Sequence, residues 1–241
     1  MILKTEDIIM EKSENNSADD FIARGNALVD QNQYEEAVAA YNQAIESDPD
    51  NAAAWYQKGC ALYNLNRYGE AVQAYGGALE RDPDDIAAWH SLGVVLMNLE
   101  QYEEAVEAFD MALALDSTIA SAWYHKGYAH GAQKNFEEAV KAYWRALEID
   151  PEDIISWANM GTALNSLGRH EEAVDASDLA LALDPDNTPA WNTKADALMG
   201  LKNYKEALQT YNRVLAIDPQ DAHAWHHKGS ALMKLRPGDT C

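Results

Sequence analysis

The chain has 241 residues, with 40 acidic and 18 basic side chains and a formal net charge of −22. That charge repels bare nucleic acid and anionic membrane surfaces, and no run approaches the roughly 18 apolar residues that a bilayer crossing needs. Cys60 and Cys241 match no metal or redox spacing, so no disulfide framework is expected and a reducing, cytoplasmic setting follows.

Residues 1–17 hold scattered apolar side chains broken by Lys4, Glu6 and Asp7, too charged for a signal peptide, and are expected to be flexible or briefly helical. From Ala18 onward the chain keeps a beat. Tryptophan stands at Trp55, Trp89, Trp123, Trp157, Trp191 and Trp225, each 34 residues after the last. Asp-Pro pairs keep the same period at Asp48-Pro49, Asp82-Pro83, Asp150-Pro151, Asp184-Pro185 and Asp218-Pro219. Six full units result, 18–51, 52–85, 86–119, 120–153, 154–187 and 188–221, with a partial seventh at 222–241.

In the first half of each unit, positions 4, 8 and 11 are apolar or glycine, as in Trp55, Gly59 and Leu62. At 100° per residue these form one helical stripe, flanked at positions 3 and 10 by alanines that let neighbouring helices approach. The second half puts an aromatic or His at position 17, Ala at 20, Val or Leu at 21, mostly an aromatic at 24 and Ile or Leu at 28, again one stripe. Glu35-Glu36, Glu103-Glu104, Glu137-Glu138 and Glu171-Glu172 fall in the first turn of that helix, where they complement its macrodipole. Asn51, Asp85, Asp153, Asn187 and Asp221 are expected to cap the next first helix. The junction Asp116-Ser117-Thr118-Ile119 lacks both Pro and the usual cap, which leaves Ser117 or Thr118 to take over. Gly76-Gly77 interrupts a second helix, and replacement by the Asn and Gln of the first unit is expected to stabilise it.

Trp89-x2-Leu92-Gly93 followed by Ala105-x3-Phe109 resembles the tetratricopeptide-repeat pattern, and the likeness covers about nine tenths of the chain. Phe21, Ser117, Ser177, Ala195 and Val214 depart from it singly. The resemblance implies an all-α, right-handed superhelical solenoid of antiparallel helix pairs, spanning 18–241, with first helices lining a concave groove. It also implies that positions 2, 5, 9, 12 and 13 of the first helices face a bound polypeptide. The candidate peptide-binding residues are therefore Tyr56, Cys60, Tyr63, Asn64, His90, Asn98, Tyr124, Tyr128, Asn165 and Asn192. Flat rings and amides suit a peptide backbone, and few charges accompany them. The basic clamp by which some relatives grip an acidic C-terminus is not matched: Asn26 fits it, but Ile22, Gln57, Ala87 and Ser91 do not.

His223, His226 and His227 have a chelating spacing, yet no cysteine joins them and a surface helix tolerates histidines, so no metal is assigned. Cys60 has no basic neighbour to activate it, Gly76-Gly77 is not a phosphate loop, and acidic pairs recurring at one place in every unit read as architecture. No catalytic residue and no cofactor is expected. The sequence reads as a non-catalytic scaffold for another protein or peptide, with no nucleic acid and no membrane among its partners. The alternatives are a recognition arm of a larger enzyme or secretion component, and self-association through Leu232, Met233 and Leu235, because Arg236-Pro237-Gly238 stops the seventh unit before a second helix.

Overall fold

The structure, a computed structural model, describes residues 17–235. The segment before Ser17, the Arg236-Pro237-Gly238 stop and Cys241 lie outside the described residues. Those residues form thirteen helices and no strand, in two compact units that meet in sequence at Leu115 and Asp116. The first unit holds α1 (Ala18–Val29), α2 (Tyr34–Ser47), α3 (Ala52–Asn64), α4 (Tyr68–Arg81), α5 (Ile86–Asn98) and α6 (Tyr102–Leu115). The second holds α7 (Ala120–Ala132), α8 (Phe136–Ile149), α9 (Ile154–Ser166), α10 (His170–Leu183), α11 (Thr188–Gly200), α12 (Tyr204–Ile217) and α13 (Ala222–Lys234). Odd-numbered helices are the first halves of the repeats and even-numbered ones the second halves.

Side-chain caps set the starts of six of the seven first helices. Ser17 opens α1 with a reciprocal capping box to Asp20. Asn51, Asp85, Asp153, Asn187 and Asp221 cap α3, α5, α9, α11 and α13 by accepting backbone N–H bonds at 2.8–3.0 Å. At the irregular junction the expectation fails. Ile119 occupies the cap position of α7 with no side-chain bond, while Asp116 Oδ1 accepts from the backbone and hydroxyl of Thr118. Ser117 and Thr118 lie too early to reach the first turn.

The shared beat of tryptophan and proline has a direct cause. Each indole N–H donates to the carbonyl six residues earlier: Trp55 to Pro49, Trp89 to Pro83, Trp123 to Ser117, Trp157 to Pro151, Trp191 to Pro185 and Trp225 to Pro219, at 2.8–3.1 Å. The indole thus ties its helix to the loop before it, and Ser117 keeps the carbonyl when proline is absent. The tryptophans are only half-buried, or more exposed in Trp225, so their rings cover the edge of the stripe and not its centre. Its centre is made of small residues: Ala54, Ala88, Ala122, Ser156, Ala190 and Ala224 are all 0 % exposed.

Within a pair, the aromatic at position 24 lies on the glycine at position 8: Tyr41 on Gly25, Tyr75 on Gly59, Phe109 on Gly93 and Tyr143 on Gly127. A Cβ on any of these glycines would meet the ring at 2.4–2.8 Å, so the helices approach as closely as a bare Cα permits. Tyr41, Phe109 and Tyr211 are fully buried and anchor the core.

Gly76 and Gly77 turn out to differ. Around Gly76 a Cβ would meet open space, whereas at Gly77 it would lie 2.7 Å from the Trp55 ring. That ring is hemmed in by the Arg81 guanidinium at 4.9 Å and Lys58 Nζ at 5.2 Å. The paired replacement read from the sequence therefore joins a favourable change to an unfavourable one. Gly76→Ala alone is expected to stabilise by about 1 kcal/mol, raising the melting temperature by about 2–4 °C. Gly77→Gln is expected to lower it, and calorimetry of the two single variants checks both signs.

Ile119 holds φ −83° and ψ 95°, close to the −75° and 95° of the working cap Asn51, so its backbone is already shaped for a cap. Ile119→Asn is expected to add about 1 kcal/mol of stability by bonding the open first turn of α7, read by chemical denaturation.

Candidate functional site

In the first unit, the candidate residues stand on α3 and α5. Tyr56 lies tilted on Tyr75, with ring centroids 5.7 Å apart, and burial pushes its hydroxyl pKa up. Tyr63 leans on Tyr68 at 5.7 Å. Cys60 Sγ accepts a bond from the Tyr75 hydroxyl at 3.4 Å, which makes the thiol a packing partner. His90 sits edge-on to Phe109 at 5.7 Å, and burial pulls its pKa down. Asn64 and Asn98 are exposed, and each donates one amide bond back to its own helix, to Cys60 O at 2.8 Å and Val94 O at 2.9 Å. Asn26, the one residue fitting the basic clamp, accepts from the Tyr41 hydroxyl at 2.7 Å and braces α1 against α2.

In the second unit, Tyr124 is wedged between Tyr143 at 6.0 Å and His125 at 5.1 Å, and burial raises its pKa. Asn165 pairs with His170 Nδ1 at 2.6 Å, and Asn192 donates to Asp221 at 2.8 Å. Both amides serve helix docking. Tyr128 differs, standing 46 % exposed at the mouth of a cavity of about 220 Å³ lined also by Gly131, Ala132, Phe136, Tyr143, Asn159, Thr162 and Ala163.

The cavity exists because positions 12 and 13 of that first helix are Gly131 and Ala132, where the two preceding repeats carry Tyr63-Asn64 and Met97-Asn98. Reading the sequence for the side chains a surface offers misses a site made by the side chains it lacks. Asn159 and Thr162 are not among the residues the sequence singles out. Asn159 stands at position 6, outside the positions taken to face a ligand, and Thr162 is a short hydroxyl at position 9.

A larger cavity of about 850 Å³ lies on the other side of the second unit, between α8 and α10 over α9. Trp144, 52 % exposed, stands there edge-on to Trp157 at 6.4 Å, and buried Met160 and Leu164 and exposed Leu179 also line it. The neighbouring charges are already matched, Lys141 with Glu138 at 2.6 Å, Arg145 with Glu148 at 2.7 Å and Arg169 with Glu172 at 2.6 Å. This cavity therefore offers mainly apolar area, with the Asp175 carboxylate also in its lining.

Sequence profiles described as Tetratricopeptide repeat match residues 22–86, 56–118, 120–153, 142–175 and 164–230, which takes in nearly every described residue. The chain belongs to the tetratricopeptide-repeat family. Among solved structures it is similar to YrrB, described as a TPR protein with an unusual peptide-binding site, at 24 % identity and a TM-score of 0.72 over 79 % of this chain and 98 % of that one. It is also similar to MamA from Desulfovibrio magneticus RS-1, at 24 % identity and 0.67 over 70 % and 96 %. A tetratricopeptide repeat protein from Parabacteroides merdae aligns at 16 % identity and 0.72 over 90 % and 86 %. At these identities the likeness is one of fold. A comparison with curated proteins returned no match. Among the described residues, no helix of this tetratricopeptide-repeat chain is long and apolar enough to cross a membrane.

The tyrosines thus separate by burial. Tyr56→Ala and Tyr124→Ala are expected to cost about 1–3 kcal/mol each, because each removes a ring packed on another ring. Tyr128→Ala is expected to leave the melting temperature nearly unchanged. Thermal denaturation of the three single variants checks the ranking, and equal losses would contradict it.

Proposed function

We propose that the chain is a non-catalytic interaction scaffold that binds a peptide or helical segment of a partner protein on the face of its first helices. Within the second unit, contact centres on Tyr128 and its cavity. The observation carrying this reading is the exposed Tyr128 ring beside a cavity lined by Asn159 and Thr162. A flat amphipathic ring next to an amide suits a side chain of the ligand together with its backbone. In the first unit, exposed Asn64 and Asn98 and half-buried Tyr63 offer the same mixture. The peptide-binding site named for YrrB supports the class of ligand, and the chain's charge disfavours nucleic acid.

The test uses a displayed random-peptide library selected on the whole protein, after which a selected peptide is titrated against variants by fluorescence anisotropy. Tyr128→Ala is expected to weaken binding roughly tenfold or more, as truncating an exposed aromatic anchor does. Raising the salt from about 0.1 to about 0.5 M is expected to change affinity little, since this face carries few charges. Full binding by Tyr128→Ala together with loss in Trp144→Ala would move the site to the outer cavity and overturn the proposal.

A further inference from the structure

One cluster of metal-ligating side chains stands apart from the Tyr128 cavity. His223 and His227 lie one turn apart on α13, and their rings stand 4.2 Å apart, centroid to centroid. Asp196, on α11, brings its carboxylate to His223 Nε2 at 2.9–3.0 Å. One donor atom from each of the three lies within 4.8 Å of the others. We propose that Asp196, His223 and His227 form a binding site for a divalent first-row transition metal ion, with Zn2+ as its natural probe.

The donor set suits such an ion: two imidazoles and one carboxylate supply three ligands and leave the remaining position to water or to a group on a partner. A tetrahedral ion with bonds of about 2.0–2.1 Å needs its donors roughly 3.3–3.5 Å apart, so His223 and Asp196 have to separate by a few tenths of an ångström and His227, whose donor lies within 4.8 Å of theirs, has to close by up to about 1.5 Å. The surroundings hold the ligands in place. The Tyr211 hydroxyl on α12 donates to Asp196 Oδ1, and the His227 ring stacks on Tyr211 at 6.1 Å and 24°. Asn192 fastens the Asp221 cap of α13 to α11 at 2.8 Å, which sets the spacing of the two helices that share the site. Carboxylates and imidazoles braced from behind in this way hold metals better than free ones.

His226 marks the difference between this site and the histidine spacing visible in the sequence. It is exposed and lies outside the donor group, while the third ligand comes from a helix 27 residues earlier. Without a metal, His223 and Asp196 form a plain hydrogen bond, and the cluster would then only dock α13 on α11. Metal binding replaces the proton between them.

Isothermal titration with Zn2+ alone decides between the two roles, using the full chain with Cys60 and Cys241 changed to Ser so that thiols do not contribute. The expected result is a single Zn2+ per chain and a higher melting temperature in its presence. Asp196→Asn keeps an amide oxygen for His223 but removes the anionic ligand, and it is expected to weaken binding roughly tenfold or more, as is His227→Ala. His226→Ala is expected to bind as the parent does. Circular dichroism of each variant confirms that the helices persist. Failure of the parent to bind, unchanged affinity in Asp196→Asn, or loss in His226→Ala would each overturn the site, the last by assigning chelation to the exposed His223–His226 pair.

Discussion

In the first four helix pairs an aromatic ring rests on a glycine that has no Cβ, and much of the remaining architecture follows from that distance. With the ring of Tyr41, Tyr75, Phe109 or Tyr143 seated on its glycine, the two helices can bring their small residues into contact. Ala37, Ala71, Ala105 and Ala139 are accordingly 0 % exposed on the second helices. A ring buried this way contributes several times what an alanine contact does, so the pair is held by a few large groups and shaped by many small ones. The tryptophan tie then fixes the pair to the loop that precedes it. The two devices act on different joints, one inside a repeat and one between a repeat and its predecessor.

The fifth pair shows what happens when the ring is missing. Ser177 takes the aromatic place and turns its hydroxyl back to Ala173 O at 2.8 Å, so the buried oxygen is satisfied within its own helix. The space near Gly161 is filled from the next repeat by Thr193, whose hydroxyl meets Thr162 at 3.1 Å, while Met160 is buried beside it at 4 % exposure. A hydroxyl pair and a flexible thioether thus replace a ring, joining α9 directly to α11. The sixth pair takes the opposite course. Tyr211 is retained at 0 % exposure although its partner is Ala195, and its hydroxyl is drawn to Asp196. Neither departure interrupts the helices, because the alanines around it still pack.

What could be read from the sequence was whatever the repeat imposes six times over. Helix pairing, the caps at Asn51, Asp85, Asp153, Asn187 and Asp221, the acidic first turns and the positions of the rings all recur with the period, and each has a local cause. The candidate ligand face was less legible because a helical wheel describes one helix alone, while each first helix here packs on two neighbours. Tyr56 and Tyr124 look outward on the wheel and are half-covered by Tyr75 and Tyr143 in space. Asn165 and Asn192 look like ligand groups on the wheel, and in space each also hydrogen-bonds within the fold, to His170 and Asp221. Features belonging to a single repeat were harder still. The cavity beside Tyr128 is created by Gly131 and Ala132, and the junction at Ile119 has no side-chain cap because Thr118 is turned back to Asp116.

The same distinction bears on how such a scaffold acquires a partner without losing its fold. Positions holding the ring, the glycine and the alanines are constrained on every side, so changing them disturbs the helix pair before it alters any surface. Tyr56 and Tyr124 stand between the two roles, since each supports a ring of the core with one face and meets solvent with the rest. Residues such as Tyr128, Gly131 and Ala132 are different, because their side chains, or the lack of them, shape a cavity that the neighbouring helix does not fill. A ligand contact built from the second kind of position can change with little effect on stability. One built from the first kind ties affinity to folding. The surface most open to specialisation in this chain is therefore the one where the repeat pattern is silent, and in the second unit that surface lies along α7 and α9 at the Tyr128 cavity.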